Sequence, residues 1–447
     1  MTRATITVDL SYGDAGKGTT TEYLAAMSES AAVIRFNGGS QAEHNIVTPD
    51  GRHHTFSQFG AASFLPDVPT HLSVDMLVNP INMFLEADHL IDVGVTDIWE
   101  RTSVDRFARI VTPYHQAGNR LRELVRGASR HGSTGQGVSE AVISWMAYPD
   151  LTILAGELTD RDIVERLERQ RLRARDQMAA ISAPTDTPEW EALTNPTLSV
   201  MYAEEYAEWV RRVTLTDPEY LSLLSGRYEH MVFEAAQGVL LDEKRGFHPH
   251  TTWSNTTPDN ARRQLKDIGF LGMVRTLGIV RSYTTRHGFG PFVTEDAALD
   301  GPLAEYFNGT GPWQGHFRIG HFDPLAHRYA LRAIGGVDGL VVTGLDRTAE
   351  LPEWRFADGY DLPAEPDLDR YFDRDESGLV RDINVGRYGD KAYITRLAQL
   401  LFRAKPVYGT APDSQPDTVV KAIESLLDTP VVLTAYGPTV LDKIEHR

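Results

Sequence analysis

The most informative segment of the chain is Tyr12-Gly13-Asp14-Ala15-Gly16-Lys17-Gly18-Thr19. It follows an alternating apolar run at 4–10, which predicts a strand, and it precedes residues 20–27, which predict a helix. Its glycines allow backbone N–H groups to turn toward one point, and the following helix adds the positive end of its dipole. Thr19 and Glu22 have the spacing of a capping box, which supports a helix start at Thr19. The sequence therefore predicts a phosphate-binding loop between a strand and a helix.

This loop is related to the motif G-x-x-x-x-G-K-[ST] but departs from it at both ends. Ser11 stands five residues before Gly16, and Gly18 follows Lys17. The loop also carries an acid, Asp14. A carboxylate beside phosphate oxygens repels them unless a cation lies between or the acid takes a proton. Asp14 alone could be a turn residue, but its place beside the Gly-Lys-Gly run favours a functional role.

The composition indicates a globular chain with a large core. Its 447 residues, 41% of them hydrophobic, suffice for one elaborate domain or two. The 44 basic and 62 acidic residues give a formal net charge of −18, which argues against a nucleic-acid partner. Cysteine is absent, which favours the cytoplasm over a secreted, disulfide-linked class. Residues 1–30 lack a leader pattern, and no run approaches the roughly 20 apolar residues of a membrane span, so we expect no membrane partner.

Six apolar runs each lead into a polar loop. The predicted strands are residues 4–10, 31–36, 231–234, 278–283, 339–343 and 430–434. In open α/β sheets, ligands bind at the carboxyl ends of the strands, so these loops are expected to converge on one large site. The pattern predicts an α/β fold with a large, mostly parallel central sheet and helices on both faces.

Other polar segments could join this site or serve local structure. His44 ends the loop after the second strand and could be an ordinary loop histidine, but its loop leaves the same sheet edge as Asp14. The glycine-rich segment 132–137 carries two hydroxyls suited to phosphate oxygens, although alone it could be a linker. The hydroxyl-rich segment 251–257 could line a pocket or cap a helix. Residues 159–182 have the pattern of an amphipathic, solvated helix.

With these segments in order, the chain resembles the adenylosuccinate synthetase family. In the first half of the chain, YGDAGKG at 12–18 resembles the family's WGDEGKG, RFNGGSQAEH at 35–44 resembles RYQGGxNAGH, and GSTGQG at 132–137 resembles GTTGRG. In the second half, residues 233–242 and 252–257 resemble FEGAQGTLLD and TSSNTT, and YTTRHGFGPFVTE at 283–295 resembles YxTRVGxGPFPTE. Residues 343–346 and 436–438 resemble TKLD and TGP. The resemblance implies a P-loop-like GTP-binding ligase fold with inserted subdomains. It implies one domain over residues 1–447, with a helical insertion at about 155–228.

The family couples GTP hydrolysis to the joining of L-aspartate and IMP, with Mg²⁺. By resemblance, Asp14 removes the purine N1 proton and binds the metal, His44 is the acid beside the leaving phosphate, and Gln237 reads the purine edge. The other implied site residues fall into three groups: for the phosphoryl donor, GTP or alternatively ATP or dATP, Gly13, Asp14, Ala15, Gly16, Lys17, Gly18, Thr19, Asp346, Gly437 and Pro438; for the substrates, Asn37, Gln41, Ser133, Thr134, Gln237, Thr252, Arg286 and Arg318; and for the metal, Asp14 and Glu43. The resemblance also implies a homodimer.

Several positions depart from the family pattern. Gln41 replaces an asparagine, and Glu43 replaces a glycine whose carbonyl meets the metal. Tyr148 stands where a partner-subunit arginine reaches the substrate phosphate, which places that contact in doubt. Gly344 replaces the lysine of TKLD, so nucleotide selectivity could be relaxed, although Asp346 still favours guanine.

The largest departure lies at residues 311–323, which align with the family's arginine-rich aspartate loop. Arg318 is the one arginine left there, and Gly315 aligns with the arginine that touches the ribose 2′-hydroxyl. A site without that donor has less reason to demand a ribonucleotide. A phage branch of the family uses dGMP to make the 2-aminoadenine precursor, in the host cytoplasm, and residues 35–44 and 312–320 resemble that branch. The acceptor stays open between IMP and (d)GMP, and an inactive nucleotide-binding regulator or a simple phosphotransferase is a further alternative.

Overall fold

The structure is a computed structural model that describes residues 2–127, 130–305, 308–309, 311 and 313–446. Its strands are β1 (Arg3–Asp9), β2 (Ala31–Arg35), β3 (His44–Val47), β4 (His53–Phe56), β5 (Thr70–Leu72), β6 (Leu77–Val78), β7 (Thr102–Asp105), β8 (Arg109–Ile110), β9 (Thr214–Thr216), β10 (His230–Glu234), β11 (Met273–Arg281), β12 (Thr284–His287), β13 (Phe317–Gly320), β14 (Gly339–Thr343), β15 (Arg355–Asp361), β16 (Phe372–Arg374), β17 (Val380–Ile383), β18 (Lys405–Thr410), β19 (Val431–Ala435) and β20 (Lys443–Glu445).

The α-helices connect these strands. They are α1 (Lys17–Ala26), α2 (Pro80–Asp92), α3 (Pro113–Arg126), α4 (Val138–Ala147), α5 (Ile163–Ala180), α6 (Pro188–Thr194), α7 (Thr197–Arg212), α8 (Tyr220–Arg227), α9 (Asp259–Asp267), α10 (Pro324–Ile334), α11 (Leu345–Ala349), α12 (Leu368–Tyr371), α13 (Lys391–Leu401) and α14 (Pro416–Leu427). Within the described ranges, no helix combines the length and apolar character needed to cross a membrane.

The central sheet has the order β20-β19-β14-β11-β1-β10-β2-β5-β7-β9. The six predicted strands are consecutive neighbours in it, from β19 to β2, and they pair in parallel. Strands buried on both faces are continuous apolar runs, which is why the sequence reveals them. In β14, Leu340 and Val342 pack with α10 on one face, whereas Val341 packs with Tyr23 of α1 on the other. The predicted α/β fold is confirmed.

The segment predicted as a helical insertion contains α5, α6, α7 and α8. Tyr206 and Trp209 of α7 are fully buried in a second core, together with Leu167 of α5 and Leu193 of α6. The segment also supplies β9, which pairs in parallel with β7 at the edge of the central sheet. The insertion therefore shares its core and one strand with the rest of the chain, and its boundaries stay a prediction.

The predicted capping box at the start of α1 is wrong. The helix begins at Lys17, and its N-cap is Gly16 in the left-handed region with φ 97°. The Thr19 hydroxyl lies inside the first turn and donates to the Gly16 carbonyl at 3.2 Å. Glu22 is buried, and burial raises its pKa to about 7, while Lys443 opposes the rise. The glycine-rich loop therefore leads directly into the helix, without a side-chain cap.

Candidate active site

The glycine-rich loop is wrapped around the carboxylate of Asp9, the last residue of β1. This carboxylate accepts hydrogen bonds from the Ser11 N–H at 2.8 Å, the Ala15 N–H at 3.0 Å and Lys17 Nζ at 2.9 Å. Gly13, Asp14 and Gly16 all have positive φ, which the tight curl requires. The loop is therefore a preformed cradle in which Lys17 is buried and already paired with an acid.

The Thr343–Asp346 loop clamps the cradle from the side. The Thr343 hydroxyl donates to the Ala15 carbonyl at 2.7 Å, and a side chain at Gly16 would approach Thr343 to 3.1 Å. Asp346 lies in the first turn of α11, and burial raises its pKa. Gly344 has φ +71° and its backbone lies close to the ring of Tyr283, which leaves no room for a side chain. The two loops predicted to bind the donor are therefore joined directly.

His44 is fixed by a buried acid at the end of β10. Its Nδ1 donates to Glu234 Oε1 at 2.5 Å, and Glu234 Oε2 accepts the Ala61 N–H at 3.0 Å. Burial lowers the pKa of His44, while Glu234 opposes the fall. A side chain at Gly18 would meet His44 Cβ at 2.7 Å, so the glycine lets the imidazole pack against α1. Because Nδ1 is engaged, Nε2 is the nitrogen left for a ligand.

One cleft of about 480 Å³ collects most of the predicted substrate and catalytic residues. Its lining includes Gly13, Asp14, Lys17, Gln41, Glu43, His44, Ser133, Thr134, Gln237, Thr252 and Arg286. The predicted residues that do not line it are Ala15, Gly16, Gly18, Thr19, Asn37, Arg318, Asp346, Gly437 and Pro438. Most of the second group are predicted donor contacts on the cradle and its neighbouring loops. Three other predicted donor contacts, Gly13, Asp14 and Lys17, line the cleft together with the predicted acceptor residues.

The predicted metal pair lies inside this cleft. Burial and the nearby Asp14 carboxylate raise the pKa of Glu43, while His287 opposes the rise. His287 Nε2 lies 3.4 Å from Asp14 Oδ2. The described residues contain no group of three or more acid or histidine side chains poised for a metal. Two carboxylates that repel each other are nevertheless a favourable place for a divalent cation that is also bound by a substrate. His287 was not predicted, although it replaces the valine of the family pattern YxTRVG.

Gln41 and Gln237 face each other across the cleft. Gln41 Nε2 donates to Gln237 Oε1 at 3.4 Å, and Gln237 Nε2 has no hydrogen-bond partner among the described residues. Asn37 has a different role, because its amide bonds to the backbone of Ala236 and Asn255 and it is buried away from the cleft. The Asn37 side chain therefore joins two loops, and its substrate contact stays a prediction.

Both predicted substrate arginines are occupied by the protein itself. Arg286 is 1% exposed, and its guanidinium donates to the carbonyls of His250, Phe289 and Pro291. Arg318 forms a two-bond ion pair with Glu295 and also donates to the backbone of the loop after β12. Neither guanidinium is free for a carboxylate. In this structure both guanidinium groups support the loop, and their contact with a substrate stays a prediction.

The loop aligned with the aspartate-binding segment packs on the other glycine loop. Trp313 covers Gly135, where a side chain would approach its ring to 2.8 Å, and Gln314 lines the cleft. Pro312, within the predicted loop, lies outside the described residues. Gln136 Oε1 accepts from Ser40, Asn82 and Gln116, a hub that the sequence did not indicate. Tyr148 faces its own chain, with Arg173 3.1 Å above its ring.

Comparisons with known proteins agree with this architecture. The model of the family described as adenylosuccinate synthetase matches residues 6–444. An adenylosuccinate synthetase from Brevibacillus brevis is 28% identical over 443 residues, which cover 94% of this chain and 99% of that protein. Fully ligated adenylosuccinate synthetase from Plasmodium falciparum has a TM-score of 0.76 at 20% identity and covers 99% of both chains.

A second solved structure has the same fold. Succinoaminodeoxyadenylate synthetase from cyanophage S-2L, bound to dGMP and to dATP as an energy donor, has a TM-score of 0.59 at 17% identity. It covers 100% of this chain and 95% of its own. With a family model spanning almost every residue, the chain belongs to the adenylosuccinate synthetase family of carbon–nitrogen ligases.

Proposed function

We propose that this enzyme joins L-aspartate to C6 of a 6-oxopurine nucleoside monophosphate, with a GTP-type triphosphate as phosphoryl donor. The observation that carries the proposal is the placement of Asp14 and His44 in one cleft, on loops that leave β1 and β2. β10 lies between these strands, and its Glu234 holds the imidazole. A base and an acid thus face one space beside a phosphate cradle.

The chemistry follows from this placement. Asp14 accepts the N1 proton of the purine, and the electron pair makes the 6-oxygen nucleophilic. That oxygen attacks the γ-phosphorus of the donor, a nucleoside diphosphate leaves, and the 6-oxygen becomes part of a phosphate leaving group. The aspartate amine then attacks C6, and inorganic phosphate departs. An anionic phosphate beside His44 favours the protonated ring, which can then donate a proton to an oxygen of the leaving phosphate.

Asp14 and Glu43 would hold the Mg²⁺ ion that the family uses. Burial, and after it the charge of Asp14, raise the pKa of Glu43, and a cation bound beside the two carboxylates would offset both effects. The ion would supply positive charge beside the donor phosphates. Lys17 lies in the same cradle, where its ammonium can reach phosphate oxygens from its bond with Asp9.

A deoxyribonucleotide acceptor is the second candidate, with dGMP as substrate and ATP or GTP as donor. It is favoured by the aligned aspartate loop, because Arg318 is fully engaged by Glu295 and backbone carbonyls. Gly315 offers no side chain to a ribose hydroxyl. A cleft without such a donor loses little when the 2′-hydroxyl is missing.

A panel of acceptors tests both candidates. IMP, GMP and dGMP are each incubated with aspartate and either GTP or ATP, and products are identified by mass. We expect a succino-nucleotide and aspartate-dependent phosphate release from at least one acceptor. Asp14→Asn and His44→Ala should each abolish turnover while nucleotide binding is retained. Binding without any product would favour an inactive regulator, and a nucleoside diphosphate product without a succino-nucleotide would favour a simple phosphotransferase. Analytical ultracentrifugation tests the proposed homodimer.

A further inference from the structure

The positive side chains that line the cleft differ in whether an acid already neutralises them. Lys17 pairs with Asp9, Arg122 with Glu140, Arg126 with Glu123 and Lys244 with Glu243. Arg286 donates to backbone carbonyls. Lys391 also lines the cleft, and none of the described carboxylates lies within 4 Å of its ammonium. An unneutralised ammonium at the wall of a ligand cleft is a strong attractor of anions.

Lys391 is the first residue of α13 and faces the hydroxyl-rich segment. Its Nζ lies 5.8 Å from the ring centroid of Trp253, the residue after Thr252. The neighbouring Asp390 does not neutralise it, because the Asp390 carboxylate accepts the Tyr393 N–H and lies 3.8 Å from Arg370. The ammonium is thus within cation–π distance of an aromatic ring, and both residues line the cleft.

Histidine and hydroxyl side chains line the same cleft as Lys391. Burial lowers the pKa of His248, and the charges of Lys391 and His131 lower it further, so these groups are close to one another. Ser133, Thr134 and Thr252 add hydroxyl donors to the same cleft. Hydroxyl groups and a lysine together form a set of donors that suits the three terminal oxygens of a phosphate monoester.

We infer that Lys391 binds the 5′-phosphate of the acceptor nucleotide. The inference rests on the proposed function and names a residue of this chain as the cation for that phosphate. Lys391 lies on α13, far in sequence from the cradle that would hold the donor. The donor and acceptor phosphates would thus be held by different lysines, Lys17 and Lys391.

Ligand pairs that differ in one phosphate group test the inference. Binding of IMP and inosine, and of GMP and guanosine, is measured by calorimetry for the native enzyme, Lys391→Gln, Lys391→Arg and Lys244→Gln. In Lys391→Gln we expect monophosphate binding to weaken about 10- to 100-fold, the range typical of a lost charged hydrogen bond, and nucleoside binding to stay unchanged. Lys391→Arg should retain most of the affinity. Lys244→Gln removes the same charge from the same cleft and should have a much smaller effect.

Three results would overturn the inference. One is equal weakening of monophosphate and nucleoside by Lys391→Gln. Another is equal weakening of the monophosphate by both glutamine variants, which would indicate only the general potential of the cleft. The third is unchanged monophosphate binding with a raised KM for aspartate, which would assign the lysine to a carboxylate. If the native enzyme binds neither IMP nor GMP, the proposed function itself fails.

Discussion

Replacing Glu234 by glutamine removes one charge from a fully buried position and keeps the size of the side chain. Each carboxylate oxygen of Glu234 accepts one hydrogen bond, from His44 and from Ala61. Glutamine has one acceptor oxygen, so one of these donors must face an NH₂ group. Arg35, also buried, loses the negative charge beside it. We expect the substitution to weaken both the folded state and the alignment of His44.

The size of the effect follows from these contacts. An unsatisfied buried donor costs about 1–3 kcal/mol. Removal of one partner of a buried charge pair costs about 3–5 kcal/mol. Since Arg35 and Glu234 interact through space and Arg35 keeps its bond to the Phe59 carbonyl, the free energy of unfolding should fall by about 3 kcal/mol, near the lower end of that range. Loss of the aligned acid should lower kcat about 100- to 10,000-fold.

The pH dependence provides a second readout. Burial alone would raise the pKa of Glu234, but Arg35 and His44 hold it below its usual value of 4.5. The ionised group therefore contributes stability that is complete above pH 4.5 and is lost as pH falls through the lower folded-state pKa. Glu234→Gln should lack this component of acid unfolding.

Urea unfolding and aspartate-dependent phosphate release measure the two effects. Glu86→Gln is a matched control, because the buried Glu86 carboxylate accepts the N–H groups of residues 57–59 and lies outside the cleft. It should lower stability and leave turnover of the folded enzyme near the native value. A Glu234→Gln enzyme with native stability and native turnover would refute the role assigned to the pair.

Three further substitutions examine the surroundings of the site. Gly18→Ala places a methyl group 2.7 Å from His44 Cβ and should displace the imidazole, so kcat should fall at least about tenfold while the free energy of unfolding changes less. Native turnover would show that the reaction tolerates a displaced ring. Arg286→Gln should lower the free energy of unfolding, measured in urea, by about 2–4 kcal/mol and leave the KM for the monophosphate little changed. A large rise in this KM at native stability would instead support the predicted substrate role of Arg286. Burial lowers the pKa of His115 to about 4, and its neutral Nδ1 accepts the Thr112 N–H. The neutral His115 ring therefore contributes to the free energy of unfolding fully above pH 6.5, and this contribution is lost as pH falls toward 4. His115→Gln should reduce the loss of stability between pH 6.5 and 4 by about 1–3 kcal/mol, and an unchanged dependence of stability on pH would contradict this.

The sequence predicts the sheet well because each central strand is a continuous apolar run that leads into a polar loop. It also brings Asp14, His44 and Gln237 to one cleft, since the ends of parallel strands meet at one sheet edge. The capping box was wrong because Gly16, in its left-handed conformation, begins the helix without a side chain. A local capping pattern at Thr19 cannot show that the helix already begins three residues after Asp14, beyond a glycine in the left-handed conformation.

The uses of individual polar side chains were less predictable, because they depend on long-range partners. His44 and Glu234 are 190 residues apart, and Glu234 is also the last residue of an ordinary strand. Arg286 and Arg318 match a motif, but their guanidinium groups are occupied by carbonyls and by Glu295. A residue type at a matching position indicates which chemistry is possible, whereas its partners decide whether it is available.

The three hydrogen bonds to Asp9 have a thermodynamic consequence for nucleotide association. They fix the curl of the loop when the chain folds, so little chain disorder remains to be lost when a triphosphate arrives. We expect donor binding to proceed with a small change in heat capacity and without a slow rearrangement step.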